Sequence, residues 1–380
     1  MRVLVTGSAG FLGRNLSAAL RRREGVEILA FDREQDPGEL DALLEKADFV
    51  FHLAGANRPP REEDFGEVNV DLTARLCVRL AARDAVVPVV FSSSRQAELD
   101  NPYGRSKRAA ELLLRAHALA ARAPVHVFRL HNLFGKWGRP DYNSVVATFC
   151  HRSARGLPLR VDDPATPLAL NHVDDVVVAF LALLDHHFVI PAKAGTPSPT
   201  SFLSVEPVYH TTVGELRERL EGYAALRAAF TVPDFGDALD AVLHPTWLSY
   251  LPEEDFARAP ELREDARGRL CELFKSPGCG QVFVSTTRPG LTRGNHYHDR
   301  KVEKFCVLRG RALIRFRLAD GDEVLDYPVD GDRPRVVDIP PGYTHSITNT
   351  GDEEMICLFW SSQIHDPVAP DTHALRVLKP

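Results

Sequence analysis

The chain has 380 residues, 44% of them hydrophobic, which is long for one domain and ample for two domains with sizeable cores. Its formal net charge at pH 7 is -6, so no global basic field favours a nucleic-acid partner. Six cysteines without a CxxC pair argue against a disulfide framework and favour free thiols in a reducing cytoplasm. The longest apolar run, residues 176–184, is too short to span a membrane.

The first half of the chain alternates strand-like and helical stretches. The run "RVLVT" at 2–6 predicts a buried strand that begins at once, so we expect no signal peptide. Alternation of β-branched strands with helices predicts an α/β Rossmann-like fold, a doubly wound parallel sheet covered on both faces. The later predicted strands are 27–31, 48–54, 86–93 and 125–130.

The pattern changes in the second half. Residues 186–202 are rich in Pro, Gly, Ser and Thr, which predicts a surface loop. An amphipathic helix is predicted at 213–230, followed by a connector with short helices at 231–260. Short strand-like runs separated by Gly, Pro and Asp turns then predict an all-β barrel or double-sheet jelly roll. We therefore predict two domains, 1–250 and 251–380.

A glycine-rich turn follows the first strand. "TGSAGFLG" places Gly7, Gly10 and Gly13 after a strand and at the start of a helix. The glycines permit a tight turn and a close approach of backbone N–H groups to a pyrophosphate at the positive helix end. This context predicts a dinucleotide-binding site.

The end of the second predicted strand bears on cofactor choice. Asp32 could accept hydrogen bonds from a ribose 2′-hydroxyl, which favours NAD. Arg33 could instead pair with the 2′-phosphate of NADP. Both signals are present, so NADP(H) and NAD stay open on these residues.

A proton-transfer pair follows in "YGRSK". Tyr103 and Lys107 are four residues apart, so on a helix both side chains share one face. A nearby ammonium is expected to lower the pKa of the phenol, which could then exchange a proton with a substrate oxygen. The strand end "FSSS" at 91–94 would supply a hydroxyl to hold that oxygen.

These motifs together resemble the extended short-chain dehydrogenases/reductases that act on nucleotide sugars. Further matches are "HLAG" (52–55), "NVDLT" (69–73), "RLHNLFG" (129–135) and "NHVDD" (171–175). The resemblance implies that Ser94, Tyr103 and Lys107 are catalytic. It also implies cofactor contacts from Gly7, Gly10, Phe11, Leu12, Gly13, Asp32, Arg33, Leu53, Ala54, Gly55, Tyr103 and Lys107.

The same resemblance places Asn132 near the sugar diphosphate and Asn171 at the substrate, although each could be an ordinary turn or cap residue. The loop between Ser94 and Tyr103 is shorter than in most extended members, so Ser92 and Ser93 stay alternatives to Ser94. Arg95 and Gln96 stand where the 4,6-dehydratases of this family carry an Asp–Glu pair. Their presence favours ketone reduction over dehydration.

A histidine-rich run, "GLTRGNHYHDRKVEKFCVLRG" at 290–310, carries the second chemistry. On a strand, His296 and His298 point to one face, and Glu303 and His345 can join them from other strands. Three imidazoles and one carboxylate suit Zn²⁺ or another divalent first-row metal. The spacing resembles the two cupin motifs, although the glycine spacing of the second motif is not met.

"DARGRLCELF" (265–274) and "TRGNH" (292–296) are similar to the sugar-nucleotide 3,5-epimerase branch of the cupins. In that branch the histidine matching His296 is the catalytic base. We favour a metal-ligand role for His296 and keep the base as the alternative. If His296 binds metal, the candidates for proton transfer are Lys304, Tyr297 and His365. Lys304 is the nearest in sequence, but as the neighbour of Glu303 on a strand it is expected to point to the opposite face.

Two arginines are predicted to anchor the substrate. Arg267 and Arg293 could bind its phosphate or hydroxyl groups bidentately, or could be surface salt-bridge partners.

The whole chain resembles the bifunctional enzymes of capsular polysaccharide synthesis, through "HLAGANRP", "NLFGKWGRPDYNSVVATFCH" and "VVDIPPGYTHSI". The resemblance implies C3 epimerisation of a UDP-2-acetamido-2,6-dideoxy-4-hexulose by the cupin domain. NADPH-dependent reduction by the other domain then gives UDP-2-acetamido-2,6-dideoxy-L-talose, toward UDP-N-acetyl-L-fucosamine. We expect a cytoplasmic homodimer, with no nucleic-acid or membrane partner and an insertion at 188–201. The alternatives are a single-site reductase with a non-catalytic cupin, and a fused metal-dependent oxygenase.

Overall fold

Parallel strands build the first half of the chain and antiparallel strands build the second, in the computed structural model described here. The structure describes residues 1–57, 61, 63–189 and 200–379. Strands and helices are numbered below in chain order. Of the predicted insertion 188–201, residues 190–199 lie outside the described residues, while its two ends belong to a helix and a strand.

A six-stranded parallel sheet forms the centre of the first half. Each of its first five strands matches a predicted strand, with the start or end shifted by a few residues at most. The spatial order is β2-β1-β3-β4-β5-β8. The strands are β1 (Arg2–Thr6), β2 (Glu27–Phe31), β3 (Phe49–His52), β4 (Val89–Ser94), β5 (Val125–Leu130) and β8 (Thr200–Leu203).

Helices cover both faces of this sheet. Because side chains alternate along a strand, Leu4 of β1 packs on one face while Val3 and Val5 pack on the other. The Leu4 face is covered by α2 (Pro37–Lys46), α3 (Leu72–Ala81) and α4 (Pro102–Ala121). The opposite face is covered by α1 (Phe11–Leu20) and α6 (Val173–Val189). The predicted doubly wound α/β fold is thereby confirmed.

Smaller elements complete the first half. Strand β6 (Asn132–Phe134) pairs in parallel with β7 (Pro167–His172), which pairs antiparallel with β9 (Tyr209–Thr212). Short 3-10 and π turns precede two of the helices. The remaining elements are a π-helical turn (Gly66–Asp71), a 3-10 turn (Arg95–Glu98) and α5 (Val145–Ser153).

Two antiparallel sheets form the second half and confirm the predicted all-β fold. Their spatial orders are β10-β11-β12-β19-β14-β17 and β16-β15-β18-β13-β20. Inward-facing residues such as Phe305, Ile314, Ile347 and Phe359 make one apolar core. The strands are β10 (Leu262–Asp265), β11 (Gly268–Ser276), β12 (Gly280–Thr287), β13 (Thr292–Tyr297), β14 (Glu303–Arg309), β15 (Arg311–Leu318), β16 (Val324–Asp330), β17 (Val336–Ile339), β18 (Tyr343–Asn349), β19 (Met355–Ser361) and β20 (His373–Ala374).

The connecting region belongs to both halves. It holds α7 (Val213–Ala228), α8 (Ala238–Leu248) and a 3-10 turn (Glu253–Asp255). The chain divides into a first unit, Met1–Leu220 with Pro245–Leu251, and a second unit, Glu221–His244 with Pro252–Pro380. Residues 221–244, predicted to belong to the first domain, group with the second because Val232 donates its N–H to the Lys275 carbonyl at 2.8 Å. In the described part of the chain, no helix has the length and apolar character needed to cross a membrane.

Candidate active sites

The glycine-rich turn joins β1 to α1 in the first unit. Gly7 has φ +70°, and a Cβ there would lie 2.8 Å from backbone atoms of Ala54. A Cβ on Gly13 would lie 2.0 Å from the Gly7 carbonyl oxygen. These close approaches require glycine and leave the first amides of α1 exposed to a ligand, because the Gly10 N-cap has no side chain.

Asp32 stands at the end of β2 and is tied to this turn. One carboxylate oxygen accepts the Ala9 N–H at 2.8 Å, and the other accepts the Ser8 hydroxyl. Arg33 beside it is exposed. Of the two residues that bear on cofactor choice, Asp32 is therefore hydrogen-bonded within the protein, whereas the Arg33 side chain is open to solvent.

Tyr103 and Lys107 lie one turn apart near the start of α4, whose N-cap Asn101 accepts the Gly104 N–H at 2.7 Å. Lys107 is 4% exposed, donates to the Ser92 carbonyl at 3.0 Å and lies over the Phe91 ring. Burial lowers the pKa of Lys107 to about 8. Helical spacing thus brings the predicted pair to one face.

The predicted lowering of the Tyr103 pKa is wrong for this structure. Burial raises the pKa of Tyr103, and a hydrogen bond with Ser94 opposes that rise only in part. Lys107 directs its ammonium to the Ser92 carbonyl instead. At neutral pH the phenol is therefore protonated and able to act as an acid.

The three serines at the end of β4 have different partners. Ser93 is buried and donates its hydroxyl to Glu111 at 2.5 Å, while the Ser92 carbonyl holds Lys107. The Ser94 hydroxyl is the one that meets Tyr103. These contacts support Ser94 among the alternatives left by the short loop.

Glu111 is a site residue that the sequence motifs missed. It lies one turn beyond Lys107 on α4 and is 3% exposed. Arg129 of β5 binds both its carboxylate oxygens, at 3.0 and 2.7 Å, and also binds Glu98 at 3.1 Å. The negative charge of Glu111 opposes the fall in the Lys107 pKa. The i, i+4 spacing from Lys107 was the available signal.

A cleft of about 1030 Å³ connects these groups. Its volume suits a large ligand, and the loop that follows β6 lines it with Trp137 and Tyr142. Ala54 lies directly behind Gly7 rather than on the cleft surface. The predicted residues that line the cleft are Gly7, Gly10, Phe11, Leu12, Gly13, Leu53, Gly55, Ser94, Tyr103, Lys107 and Asn132.

Asn171 requires a correction. It is 1% exposed, and its side-chain oxygen accepts the His131 N–H at 3.0 Å. Its amide nitrogen donates to the carbonyls of Val205 at 3.0 Å and Pro207 at 3.3 Å. Because both amide hydrogens are bound to backbone carbonyls, Asn171 holds the chain beside Asn132 and has no free donor for a substrate, which is the cap-like alternative.

A second candidate site lies inside the barrel of the second unit. One donor atom from each of four residues lies within 4.8 Å of the others: His296, His298, Glu303 and His345. Glu303 Oε2 is 3.2 Å from His298 Nε2 and 3.5 Å from His345 Nε2. The structure therefore brings together the four predicted metal ligands.

A β-bulge in β13 aims these side chains inward. Arg293 pairs with Ile347 and His296 pairs with His345, so residues three apart face the same side. The extra residue is Asn295, which has φ +60°. Without the bulge, alternation would turn Arg293 and His296 to opposite faces.

The imidazoles of the cluster present lone pairs to one point. His298 Nδ1 donates to the Asp371 carbonyl, so its Nε2 is unprotonated when the ring is neutral. Within the described chain, neither His298 Nε2 nor His345 Nε2 makes a hydrogen bond, although both are buried. The two Nε2 atoms face the Glu303 carboxylate without a hydrogen bond, an arrangement that fits a cation bound between the imidazoles and the carboxylate.

Charge in the cluster follows from its burial. Burial raises the pKa of Glu303, but the positive charge of Lys301, whose Nζ is 3.6 Å from Glu303 Oε1, lowers it, and the pKa lies below its usual range. Burial and the neighbouring imidazoles lower the pKa of His296 to about 4. At neutral pH the cluster therefore holds an ionised carboxylate and a neutral His296 ring, which suits a divalent cation.

Lys304 also requires a correction. It follows Glu303 on β14, so it points to the opposite face, where it is exposed and paired with Asp338. It is not part of the cluster. The lysine beside the cluster is Lys301, whose Nζ is 3.6 Å from Glu303 Oε1 and which is 9% exposed. Sequence alternation missed Lys301 because it lies in a turn.

The remaining candidates lie away from the four donor atoms. Tyr297 packs against His373, with the rings tilted by 35°, on the other face of β13, and the His365 side chain is exposed. Arg267 is exposed and binds Asp265, which is the salt-bridge alternative. Arg293 faces inward and donates to the Thr287 hydroxyl at 3.1 Å, so it is the better placed arginine.

Comparison with known families matches both halves of the chain. Residues 3–193 match the NAD dependent epimerase/dehydratase family, and residues 263–373 match the polysaccharide biosynthesis C-terminal domain. The first match covers the nucleotide cleft and the second covers the four-residue cluster. A nicotinamide cofactor is therefore the ligand expected at the glycine-rich turn.

Similar proteins extend over the whole chain. A UDP-2-acetamido-2,6-beta-L-arabino-hexul-4-ose reductase of Pseudomonas aeruginosa is 41% identical, over 99% of this chain and 99% of its own. The crystal structure of the capsular polysaccharide assembling protein CapF from Staphylococcus aureus has a TM-score of 0.88 and 39% identity, covering 99% of this chain and 100% of that one. A CapF structure with the inhibitor 3-isopropenyl-tropolone has a TM-score of 0.82, 36% identity and the same coverage.

Proposed function

Because the chain belongs to the NAD dependent epimerase/dehydratase family and continues into a polysaccharide biosynthesis C-terminal domain, we propose that it is a bifunctional nucleotide-sugar enzyme. Its second unit inverts C3 of a UDP-2-acetamido-2,6-dideoxy-4-hexulose. Its first unit then reduces the C4 ketone with NADPH to UDP-2-acetamido-2,6-dideoxy-L-talose. The observation that carries this proposal is full-length similarity, at 41% identity, to a reductase of such a hexulose.

Reduction needs a hydride at C4 and a proton on the C4 oxygen. The nicotinamide cofactor supplies the hydride when it is bound. Tyr103, whose pKa burial raises, donates the proton, and the Ser94 hydroxyl holds the same oxygen. Lys107, one turn away on the same helix face, binds the Ser92 carbonyl and lines the cleft, where its ammonium can contact the cofactor. The absence of an Asp–Glu pair after Ser94 leaves reduction without dehydration.

The order of the two steps follows from the chemistry of the sugar. The C3 hydrogen is acidic only while C4 is a ketone, because the carbanion is delocalised as an enolate. Reduction at C4 removes that acidity. Epimerisation therefore precedes reduction.

We assign His296, His298, Glu303 and His345 as ligands of Zn²⁺ or another divalent first-row metal. Support comes from the converging donor atoms and from the buried Nε2 atoms of His298 and His345. The ion would supply positive charge that stabilises a developing enolate. A tropolone presents two adjacent oxygens, an arrangement that chelates divalent metals. That a tropolone inhibits CapF, to which this chain is similar, agrees with the assignment.

NADPH is the cofactor that the end of β2 supports. Both carboxylate oxygens of Asp32 are already acceptors for Ser8 and Ala9, so they are poorly placed for a ribose diol. Arg33 is exposed and can pair with a 2′-phosphate. Comparing KM for NADPH and NADH in wild type and Arg33→Ala would test this preference.

A homodimer is also proposed. The first unit exposes large apolar side chains on α3 and α4: Val78, Leu112 and Leu119 are 68%, 61% and 62% exposed. Apolar side chains grouped on neighbouring helices favour pairing with a second copy. Light scattering on the purified chain measures its mass directly.

The test of the proposed function is NMR of the hexulose substrate in D₂O, first without and then with NADPH. Deuterium should enter C3 without the cofactor, and the sugar should be consumed only after NADPH is added. Exchange at C3 that survives disruption of the barrel cluster would favour a single-site reductase with a non-catalytic cupin. Oxygen uptake with iron present would instead favour an oxygenase.

A further inference from the structure

One segment near the end of the described chain lies along the metal-ligand strand. Residues 371–379, called here the clasp segment, contain β20, which pairs with β13 so that Ala374 lies opposite His296. The Leu375 N–H donates to the Asn295 carbonyl at 2.9 Å. The Val377 N–H donates to the Asn295 side-chain oxygen at 3.1 Å. The clasp segment therefore holds the residue that creates the β-bulge.

Buried contacts fix the clasp segment to the barrel. Arg317 is 3% exposed and donates to the carbonyls of Arg376 at 2.7 Å and Val377 at 2.8 Å. The Thr344 hydroxyl donates to the Leu375 carbonyl at 2.5 Å. A buried guanidinium bound only to carbonyl oxygens is a costly arrangement unless the segment it holds is ordered. The clasp segment is thus an integral part of the barrel.

Asp371 connects the clasp segment to the ligands themselves. Its backbone carbonyl accepts His298 Nδ1–H at 2.5 Å. Its carboxylate accepts three consecutive backbone N–H groups, from Asp299 at 2.8 Å, Arg300 at 2.9 Å and Lys301 at 2.7 Å. These amides belong to the turn that leads from His298 to Glu303. One residue therefore controls the ring of one ligand and the path to the next.

The two contacts have distinct consequences. A carbonyl can only accept, so it keeps the proton on His298 Nδ1 and leaves the Nε2 lone pair directed into the cluster. The Asp371 carboxylate, by accepting three amides, fixes the conformation of the 299–301 turn. It thereby fixes the position of Glu303 at the start of β14.

We propose that the clasp segment is a positioning element of the metal site, with Asp371 orienting His298 and holding the turn that leads to Glu303. This inference rests on the proposed metal site. Asp371 is not one of the four clustered donors: its carboxylate binds the 299–301 amides and lies 3.5 Å from His373 Nε2, and its carbonyl faces His298 Nδ1.

The test compares Asp371→Ala with a matched variant from the same region. Asp366→Ala removes an aspartate that accepts only neighbouring amides, from Val368 at 2.8 Å and Ala369 at 3.4 Å. In the full chain, Zn²⁺ affinity is measured by competition with a chromogenic chelator. Asp371→Ala keeps the carbonyl that accepts His298 Nδ1–H but removes the carboxylate that anchors residue 371 to the 299–301 amides. Because the carbonyl should then move away from His298, we expect Zn²⁺ affinity to weaken by up to about 10–100-fold, the range for loss of an outer partner of a metal-binding histidine. Asp366→Ala should match wild type, and Asp371→Asn should recover part of the loss.

A second readout separates this inference from the metal assignment. ¹⁵N NMR of the His298 ring in metal-free protein should show the Nδ1–H form in wild type. In Asp371→Ala it should show a mixture of forms, because the backbone carbonyl of residue 371 is no longer held against the ring by the carboxylate anchor. If wild type binds no Zn²⁺, the metal assignment fails while the ring spectrum still decides the role of Asp371. Wild-type affinity, or an unchanged His298 spectrum, in a folded Asp371→Ala protein would overturn the inference.

Discussion

The two sites are assembled in different ways. In the reductase cleft, Tyr103, Lys107 and Glu111 follow each other at one-turn spacing on α4, and Ser94 ends the strand beside them. In the barrel, the ligands come from three strands, β13, β14 and β18, with His298 just past the end of β13. The clasp segment, more than 70 positions along the chain from His298, orients that residue. Local spacing builds the first site and long-range pairing builds the second.

The sites also handle buried charge differently. The Lys107 ammonium is buried with a carboxylate one turn away, so its charge is partly compensated within one helix. The Glu303 carboxylate is surrounded by imidazole lone pairs and by Lys301. The first arrangement suits proton transfer, whereas the second is the one that we propose binds a divalent cation.

The sharpest test of this contrast is Tyr103→Phe. Losing the proton donor should lower the rate of C4 reduction by about 10²–10⁴-fold, while deuterium exchange at C3 continues at the wild-type rate. NADPH oxidation and C3 exchange are followed on the same sample. Tyr327→Phe, an exposed tyrosine of the barrel, serves as the control. Near-normal reduction by Tyr103→Phe would exclude the acid role.

A barrel variant should show the reverse pattern. His296→Asn removes one proposed ligand, so Zn²⁺ affinity should fall by at least about 10²-fold and C3 exchange should be lost with it. Reduction of a substrate already inverted at C3 should continue. His210→Asn, which changes an exposed histidine of β9, is the matched variant. Retained metal with lost exchange would instead identify His296 as the base.

Sequence patterns predicted the parts of both sites that depend on local periodicity. The glycine turn, the Tyr103–Lys107 pair and the HxH spacing each fix which residues share a face, so their geometry could be expected. The orientation of Asn171 could not be predicted, because hydrogen bonds to distant carbonyls decide it. Strand alternation, in contrast, already places Lys304 on the face opposite Glu303, where it pairs with Asp338. Asp371 could not be predicted, since its role depends on a pairing between distant segments.

A smaller effect tests the charge compensation in the cleft. Glu111→Gln removes the carboxylate that opposes the fall in the Lys107 pKa from its ordinary value to about 8. The Lys107 ammonium should then lose its proton at a lower pH than in wild type. The alkaline limb of the kcat/KM profile for reduction should move down by about one pH unit.

Glu98→Gln is the control for that shift. Glu98 also binds Arg129, at 3.1 Å, but its side chain is 45% exposed and it is not among the groups that shift the Lys107 pKa. Its profile should coincide with that of wild type. A profile for Glu111→Gln that keeps its position while its amplitude drops would mean that Glu111 acts on folding alone.

The smallest effect is expected at Lys304, and its value lies in the comparison with Lys301. Both are lysines near Glu303, but Lys304 is on the solvent face with Asp338, whereas Lys301 is 9% exposed and 3.6 Å from Glu303 Oε1. An exposed ion pair contributes about 0–1 kcal/mol, so Lys304→Ala should leave C3 exchange within about twofold of wild type. Lys301→Ala removes a buried positive charge beside the carboxylate and should slow exchange by about tenfold. Equal effects of the two variants would mean that the face of β14 does not decide which lysine serves the barrel site.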